Sequence, residues 1–549
     1  MKSPVIAIGL DSAEADLIER WTADGKLPTL ARLKAGGTYG RTEGNEIGFS
    51  EVAWPSFYTG CWPEKTGYWQ HIKFNPKTYG MTRGSYNYGQ VPPFYALGND
   101  FKVATFDLPQ ATLSDDVNGI QVLAWGAHSP YTKRISKPAD VLPKLLEKYG
   151  SHPAFDRDHA RPWRKRSVHK LQERMRTGVE LRRKICKDIM QRDNWDFFLT
   201  VFSETHSAPH YTWHVSNETG HELHDEFKGM FGGADPVLEI YQLVDRALAD
   251  VLAAAPKDAR VVIFSQEGME NNGLDLPNMA FLPEIMYRMN FPGQIGLMGS
   301  EGGANTEPPP RVLRPLDLGW VRSIYSTKAD SNPLRRFVRK NLLMEAGYKL
   351  EKHIFGEAPG PGYPYSFNPY FSPSMWFSNF WPKMRAFALP ALGDGFIRIN
   401  LQGRERDGIV PLEQYEAVCN EIEDQLKQFR DPRTQRPAVK KVIRTRSGSA
   451  ILEDGGPQGD LVVKWNCDHF IDVIDSPTLG RIGPVTCRRP GGHNTHGFFI
   501  ANGPDIPVGR QATDARWVDV APMILELLGA PIPDYMDGRS PIAMARNAA

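Results

Sequence analysis

Short apolar runs separated by amphipathic stretches are the feature of this sequence that most restricts its fold. Residues 5–10, 197–202 and 260–264 are such runs, and each has the length and composition typical of a buried parallel strand. Between the last two, residues 237–254 place apolar side chains at helical spacing on one face. Strands alternating with helices predict an α/β protein, with helices covering both faces of a mostly parallel sheet in an α/β/α sandwich.

Polar side chains follow these predicted strands directly. Asp11 ends the first run, and polar loops at 203–210 and 265–269 follow the other two. Because the carboxyl ends of parallel strands meet at one edge of a sheet, where ligands bind in such folds, we expect one functional site to be built from these three segments.

Composition limits the class of protein. The chain has 549 residues, 41% hydrophobic and 23% charged, and a net charge of +1, which argues against nucleic acid as the main partner. Its five cysteines are scattered without a CxxC pair, so neither a disulfide framework nor a thiolate metal site is indicated. The first apolar run is too short for a secretory signal, and no segment approaches the ~20 apolar residues that span a bilayer. We therefore expect a cytoplasmic protein with no membrane partner; its oligomeric state is left open.

Two segments interrupt the alternation within a predicted single domain over residues 1–549. Residues 126–190 form a basic helical insertion, for which a solvated face is favoured over an anion-binding surface. Residues 276–385 form a lid-like insertion rich in Pro, Gly and aromatic residues. The aromatic run at 363–381 is compatible with stacking on a nucleobase or aryl group and equally with a packed satellite core.

Several side chains have the chemistry of a phosphate or metal site. Ser50 lies where a helix is expected to begin, and a hydroxyl there faces backbone N–H groups that stabilise a phosphate, although it could also serve only as an N-cap. His206 and His210 are four residues apart and would converge on one ion if a helical turn forms; solvated loop histidines are the alternative. Gln266 and Glu267 follow the third strand and offer oxygen ligands.

These segments, in this chain order, resemble the alkaline phosphatase superfamily, and most closely its type I phosphodiesterases. The resemblance extends to the late segment around His493 and to residues 519–539, which are similar to the C-terminal helix and tail of sulfatases and phosphodiesterases. The chain departs from the family pattern at three positions: His206 stands where the family has Asp, and Gln266 and Glu267 stand where it has Asp and His.

The resemblance implies a metal-dependent hydrolase that cleaves small anionic phosphate esters, diesters rather than monoesters, through a phosphoseryl intermediate on Ser50. It implies one ion, Zn²⁺ by preference, on His206, His210 and His493, because three neutral imidazoles suit a borderline metal and favour anions. A second ion (Zn²⁺, Mn²⁺, Mg²⁺ or Ca²⁺) would lie on Asp11, Ser50, Gln266 and Glu267. Residues expected to contact the substrate or the ligands are Glu204, His496 and Arg398.

Other activities of the same superfamily stay open at this point. They include phosphotransfer and sulfate-ester hydrolysis, although Ser50 lacks the Cys/Ser-x-Pro-x-Arg setting of formylglycine sulfatases. A catalytically inactive homologue that only binds a metal or ligand is the alternative from a different class, and Gln266 and Glu267 favour it.

Overall fold

A computed structural model of the chain describes most of the sequence. The described residues are 3–89, 91–126, 132–155, 165–297, 307, 333–334, 337–338, 350, 353–354, 373–391, 393–453, 455–466, 469–486 and 489–542. The aromatic-rich stretch at 359–365 and the basic cluster at 161–164 lie outside the described residues.

The strands of the described chain fall into one large sheet, one four-stranded sheet and three two-stranded sheets. In chain order they are β1 (Val5–Leu10), β2 (Gly37–Glu43), β3 (Ile72–Asn75), β4 (Gly80–Arg83), β5 (Gly98–Phe106), β6 (Val117–Leu123), β7 (Ile135–Lys137), β8 (Phe197–Phe202), β9 (Arg260–Ser265), β10 (Gly268–Asn271), β11 (Ala386–Ala388), β12 (Gly395–Ile399), β13 (Val439–Arg444), β14 (Leu461–Trp465), β15 (Ile474–Ser476), β16 (Gly480–Ile482), β17 (Gly491–Asn494), β18 (His496–Asn502) and β19 (Arg510–Arg516).

The large sheet has the order β19-β2-β18-β9-β1-β8-β5-β6-β7 among the described residues. Its five central strands, β9 to β6 in that order, are parallel. Antiparallel pairings flank this centre, with β18 on one side and β7 on the other. The mostly parallel sheet predicted from the sequence is confirmed.

The α-helices of the described chain are α1 (Ala15–Ala23), α2 (Pro28–Ala35), α3 (Phe49–Thr59), α4 (Pro63–Thr66), α5 (Val141–Tyr149), α6 (Lys165–Met190), α7 (Glu204–Ser207), α8 (Pro209–Thr212), α9 (His224–Phe227), α10 (Pro236–Leu252), α11 (Leu282–Asn290), α12 (Tyr415–Leu426) and α13 (Val520–Leu528). None of them is both long and apolar enough to cross a membrane.

Helices cover both faces of the sheet because successive strand residues point to opposite sides. On β1, Ile6 and Ile8 pack into a core shared with α1, α2, α5, α6 and α10, whereas Val5 and Ala7 pack into a second core with α3 and α13. The result is the predicted α/β/α sandwich. Pro28 begins α2 after a short break from α1, because a proline at the first helical position leaves no N–H group without a partner.

A third core lies around the four-stranded sheet β11-β12-β14-β13. The apolar pattern at 394–401 indicates a strand where the chain returns to a folded core; the strand forms, as β12, and it pairs with β11 and β14 in this separate sheet. Trp376 and Trp381, from the aromatic run, are buried in this core. In the described part of the run, the aromatic side chains therefore support a packed core.

Most of the basic residues of α6 lie on its solvent face. Arg176 pairs with Glu239 and Arg183 with Asp250 of α10, so their charge is largely compensated. The exception is Arg182, which is completely buried between the helix and the main sheet.

Candidate metal centre and active site

Two short helical turns follow β8 directly and carry the first two histidines. α7 contains His206, α8 contains His210, and both side chains are buried. Their Nε2 atoms lie 3.1 Å apart. The helical turn that the four-residue spacing required is therefore present.

His493 completes the group from another part of the chain. It lies on β17, which pairs with β10 just after the end of β9, and this long-range pairing brings it to the carboxyl edge of the sheet. The ligand nitrogens of His206, His210 and His493 all lie within 4.8 Å of one another. In the portion of the chain that the structure describes, this is the one group of three or more such side chains gathered so closely.

A backbone contact orients His210. Its Nδ1 lies 2.7 Å from the carbonyl oxygen of Gly491 and is therefore the donor, which leaves the Nε2 lone pair facing the other histidines. The contact depends on glycine at 491, because a Cβ there would lie 2.7 Å from the carbonyl oxygen of Pro209 and 3.2 Å from Cα of His210. Two buried imidazoles, one with a fixed tautomer, and a third that is partly buried form a donor set that fits Zn²⁺ or another borderline divalent ion.

Acidic side chains lie next to the histidines. Oε1 of Glu267 lies 3.2 Å from Nδ1 of His493 and accepts a hydrogen bond from the Ser12 hydroxyl at 3.0 Å. Ser12 adopts a left-handed conformation, with φ of 51°, a strained backbone that places its hydroxyl beside Glu267. Asp11 accepts from the indole N–H of Trp54 on α3 at 3.1 Å.

The two carboxylates repel one another electrostatically. Burial raises the pKa of Glu267 well above its ordinary value, the charge of Asp11 raises it further, and the Ser12 hydrogen bond opposes both.

The neighbouring Gln266 is 1% exposed, and its amide oxygen and nitrogen have no hydrogen-bond partner among the described residues. Buried polar atoms of this kind normally have partners, so the pattern fits a site that binds a ligand.

Ser50 is the second residue of α3. Gly48, with φ of 90°, occupies the N-cap position, and its N–H donates to Asp394 at 2.9 Å, which anchors the start of the helix. The alternative that Ser50 serves as the N-cap is therefore wrong. On the same helix, Trp54 reaches Asp11, so α3 is tied to the acidic part of the site.

Glu204, expected to face the substrate or the ligands, is instead part of a buried ion cluster. Both oxygens of its carboxylate accept from Nε of Arg182, at 3.0 and 3.1 Å, and Oε1 also lies 3.1 Å from His152. The same guanidinium contacts Asp107 at 2.7 Å. Burial alone would raise the pKa of Glu204, but Arg182 and His152 hold it below its ordinary value. Through its bonds to Arg182, Glu204 therefore attaches α7, the turn that contains His206, to α6.

The other two residues expected near the substrate are engaged elsewhere. His496 is exposed, and its Nδ1 lies 3.1 Å from Glu43. Arg398 is buried in the four-stranded sheet, where Nε donates to Glu405 at 2.7 Å and Nη1 donates to the carbonyl oxygen of Gln458. His496 is therefore not part of the group formed by His206, His210 and His493.

The sequence interpretation missed an arginine beside the histidines. Nη1 of Arg489 lies 3.3 Å from Nε2 of His210, and its Nε and Nη2 donate to the two oxygens of Asp275, each at 2.8 Å. Burial would raise the pKa of Asp275, but Arg489 holds it below its ordinary value. The available signal was the position of Arg489, shortly before the glycine pair that precedes His493.

Comparison with known proteins decides the family. The profile of the type I phosphodiesterase / nucleotide pyrophosphatase family matches residues 5–308, more than half of the chain. The chain belongs to this family. It is therefore grouped with phosphoester hydrolases, as its sequence resemblance implied. No curated protein matches it.

Among the many solved structures that match, two examples align with nearly the whole chain at low sequence identity. One is phosphonoacetate hydrolase from Sinorhizobium meliloti 1021 in complex with phosphonoformate, at 13% identity and a TM-score of 0.44. The other is human ectonucleotide pyrophosphatase / phosphodiesterase 5, at 9% identity and a TM-score of 0.44. Each alignment covers 96% of this chain and 96% of the other.

Proposed function

We propose that this protein is a metal-dependent phosphoric ester hydrolase in which Ser50 is the nucleophile and His206, His210 and His493 hold a divalent ion, with Zn²⁺ preferred. The observation that carries the proposal is the convergence of three imidazole nitrogens within 4.8 Å at the carboxyl edge of the parallel sheet, two of them on buried histidines. Family membership supports ester hydrolysis as the reaction class. A bound ion would supply Lewis-acid stabilisation of the negative charge that develops on the phosphoryl group.

Ser50 would act from the first turn of α3. The first turn of a helix and the positive end of its dipole favour an anion there, which supports both the phosphoryl group and the ionised hydroxyl. In the proposed reaction the Ser50 oxygen attacks phosphorus, the ester alcohol leaves with a proton, and a phosphoseryl intermediate forms. With a diester the intermediate still carries the second ester group, so its hydrolysis by water releases a phosphate monoester and restores the Ser50 hydroxyl.

A second ion is proposed on the acidic side of the site. Asp11, Ser50, Gln266 and Glu267 offer oxygen donors that suit Zn²⁺, Mn²⁺, Mg²⁺ or Ca²⁺. The proximity of Asp11 and Glu267, two like charges in a buried setting, is compatible with a cation between them. The proposed substrate is a small anionic ester, a phosphodiester rather than a monoester, in keeping with the family.

Hydrolysis of nitrophenyl esters tests the reaction. Protein reconstituted with Zn²⁺ or Mn²⁺ is assayed with bis(p-nitrophenyl) phosphate, p-nitrophenyl phosphate and p-nitrophenyl sulfate. The diester is expected to react fastest, and Ser50→Ala is expected to lower kcat by roughly a thousandfold or more. Ser56→Ala, on the same helix but further from its start, is the matched control.

The outcomes separate the alternatives. A Ser50→Ala protein that keeps the wild-type rate would exclude Ser50 as the nucleophile. Wild-type protein that binds metal but cleaves none of the three esters would instead favour an inactive homologue, the alternative that Gln266 and Glu267 suggest.

A further inference from the structure

Ser12 adopts a backbone conformation that glycine normally occupies. Its φ of 51° lies in the left-handed region, where the Cβ of an L residue comes too close to the backbone. The residue directly follows Asp11 after the end of β1 and is completely buried. Since glycine would fill this position with less strain, the presence of a side chain points to a role for its hydroxyl.

That hydroxyl holds one oxygen of Glu267. Ser12 Oγ donates to Oε1 at 3.0 Å, across the ends of the paired parallel strands β1 and β9. The backbone of the same turn is fixed by Ser265, whose Oγ donates to the carbonyl oxygen of Glu267 at 2.7 Å and accepts from the N–H of Ala13 at 3.1 Å. Glu267 is therefore attached to the segment after β1 through both its side chain and its main chain.

The second carboxylate oxygen of Glu267 has different surroundings. Oε2 is buried without a hydrogen-bond partner among the described residues, and Glu267 is 4% exposed. The adjacent Gln266 has both of its amide atoms in the same condition. Buried oxygens of this kind normally have a donor or a cation as their partner. Because Ser12 holds Oε1, the carboxylate presents Oε2 as a single oxygen, as a monodentate ligand does.

We infer that Ser12 is a positioning residue of the second cation site: its hydroxyl holds Oε1 of Glu267 so that Oε2 faces the ion, and the strain of its backbone is tolerated because of this role. The inference rests on the proposed function, because it requires the second ion on Asp11, Ser50, Gln266 and Glu267. Partners that contact a ligand rather than the ion typically change metal affinity about ten- to a hundredfold when they are removed.

Two variants separate positioning from stability. Ser12→Gly removes the hydroxyl and relieves the backbone strain, whereas Ser12→Ala removes the hydroxyl and keeps the strain. Both lose the same hydrogen bond, so both should bind the second ion roughly tenfold more weakly than wild type. The Ser12→Gly protein should nevertheless melt at a higher temperature than the Ser12→Ala protein. If Ser12 only stabilised the fold, the loss of affinity would follow the loss of stability and would differ between the two variants.

A titration with Mn²⁺ measures this affinity without relying on turnover. Each protein is first loaded with one equivalent of Zn²⁺, the Zn²⁺ content is verified, and free Mn²⁺ is then followed by its electron paramagnetic resonance signal. Thr200→Val is the matched control, because Thr200 is also completely buried in the main sheet and its hydroxyl donates to the carbonyl oxygen of Phe106 at 3.0 Å. This variant should keep its Kd for Mn²⁺ within about twofold of wild type.

Each outcome decides the matter. Equal losses of Mn²⁺ affinity in two Ser12 variants of different melting temperature would support the inference. An unchanged Kd for Mn²⁺ in Ser12→Gly, or an affinity that falls in step with the melting temperature, would overturn it and leave the proposed function intact. Ser12→Gly that melts no higher than Ser12→Ala would overturn the argument from strain. Wild-type protein that binds Zn²⁺ but no Mn²⁺ would overturn the inference and leave the histidine site in place, whereas uptake of neither ion would overturn both proposals.

Discussion

Replacing Arg182 by Met should destabilise the protein by about 3–5 kcal/mol, the usual cost of breaking a buried ion pair from one side. Arg182, Asp107 and Glu204 are at most 4% exposed, and the guanidinium lies 2.7 Å from one carboxylate and 3.0 Å from the other. At an effective dielectric constant of about 20, each contact is worth about 6 kcal/mol of Coulomb energy, most of which offsets desolvation. Because Met preserves much of the packing volume of Arg182, the loss of unfolding free energy measures mainly the removal of its charge.

Urea unfolding followed by intrinsic fluorescence measures the effect, with Arg183→Met as the control. Arg183 is the next residue of α6 and pairs with Glu180 and Asp250 on the surface, so its replacement should cost less than about 1 kcal/mol. A loss for Arg182→Met no greater than for Arg183→Met would refute the reasoning. The double variant Arg182→Met with Glu204→Gln should recover part of the loss, because one unpaired charge is removed.

The effect of pH gives an independent check on the same cluster. The pKa of Glu204 lies below its ordinary value in the folded protein, so its ion pair contributes stability above about pH 4.5 that is lost as the pH falls through the folded pKa. The difference in unfolding free energy between wild type and Arg182→Met should therefore shrink as the pH is lowered below about 4.5. A difference that grows on acidification would contradict the assignment.

Three further changes have defined outcomes. Gly491→Ala should disturb the Nδ1 contact of His210 and weaken Zn²⁺ binding roughly ten- to a hundredfold in a chelator competition assay, whereas Gly84→Ala, which meets open space, should not. His206→Asp adds a negative charge to the site, so it should shift the metal preference away from Zn²⁺ and weaken the binding of phosphate. An unchanged metal preference and phosphate affinity would count against a role for the neutral charge of the three histidines. Burial and a neighbouring carboxylate raise the pKa of Glu270 to about 8, so the stability of the wild-type protein should fall between about pH 4.5 and 8. In thermal melts, Glu270→Gln should therefore gain most stability over wild type at pH 9. An equal gain at pH 5 and pH 9 would refute this.

The site could be predicted where the chemistry is local in sequence. His206 and His210 lie four residues apart directly after a strand, so their convergence needs one helical turn that the chain itself supplies. Asp11 ends a recognisable buried strand in the same way. His493 was reached through the family resemblance, because no local spacing connects it with the other two.

Tertiary contacts determine the burial and the partners of several arginines, which the sequence alone did not predict. Arg182 and Arg183 are neighbours on one basic helix, yet one is buried against Glu204 and the other is solvated, a difference set by the phase of α6 on the sheet. Arg398 lies on β12, which pairs with β11 and β14 in a separate sheet, and no local pattern around it indicates which sheet it joins. Arg489 is placed by Asp275, more than 200 residues earlier, and a single sequence contains no sign of that pairing.

Metal content per chain, measured by elemental mass spectrometry, tests the central claim most directly. Wild-type protein incubated with Zn²⁺ or Mn²⁺ and then freed of excess metal is compared with His493→Ala and with His496→Ala, an exposed histidine three positions away. The account predicts bound metal in wild type and in His496→Ala, and loss of metal from the histidine group in His493→Ala. Wild-type protein without bound metal, or His493→Ala with undiminished metal, would contradict it.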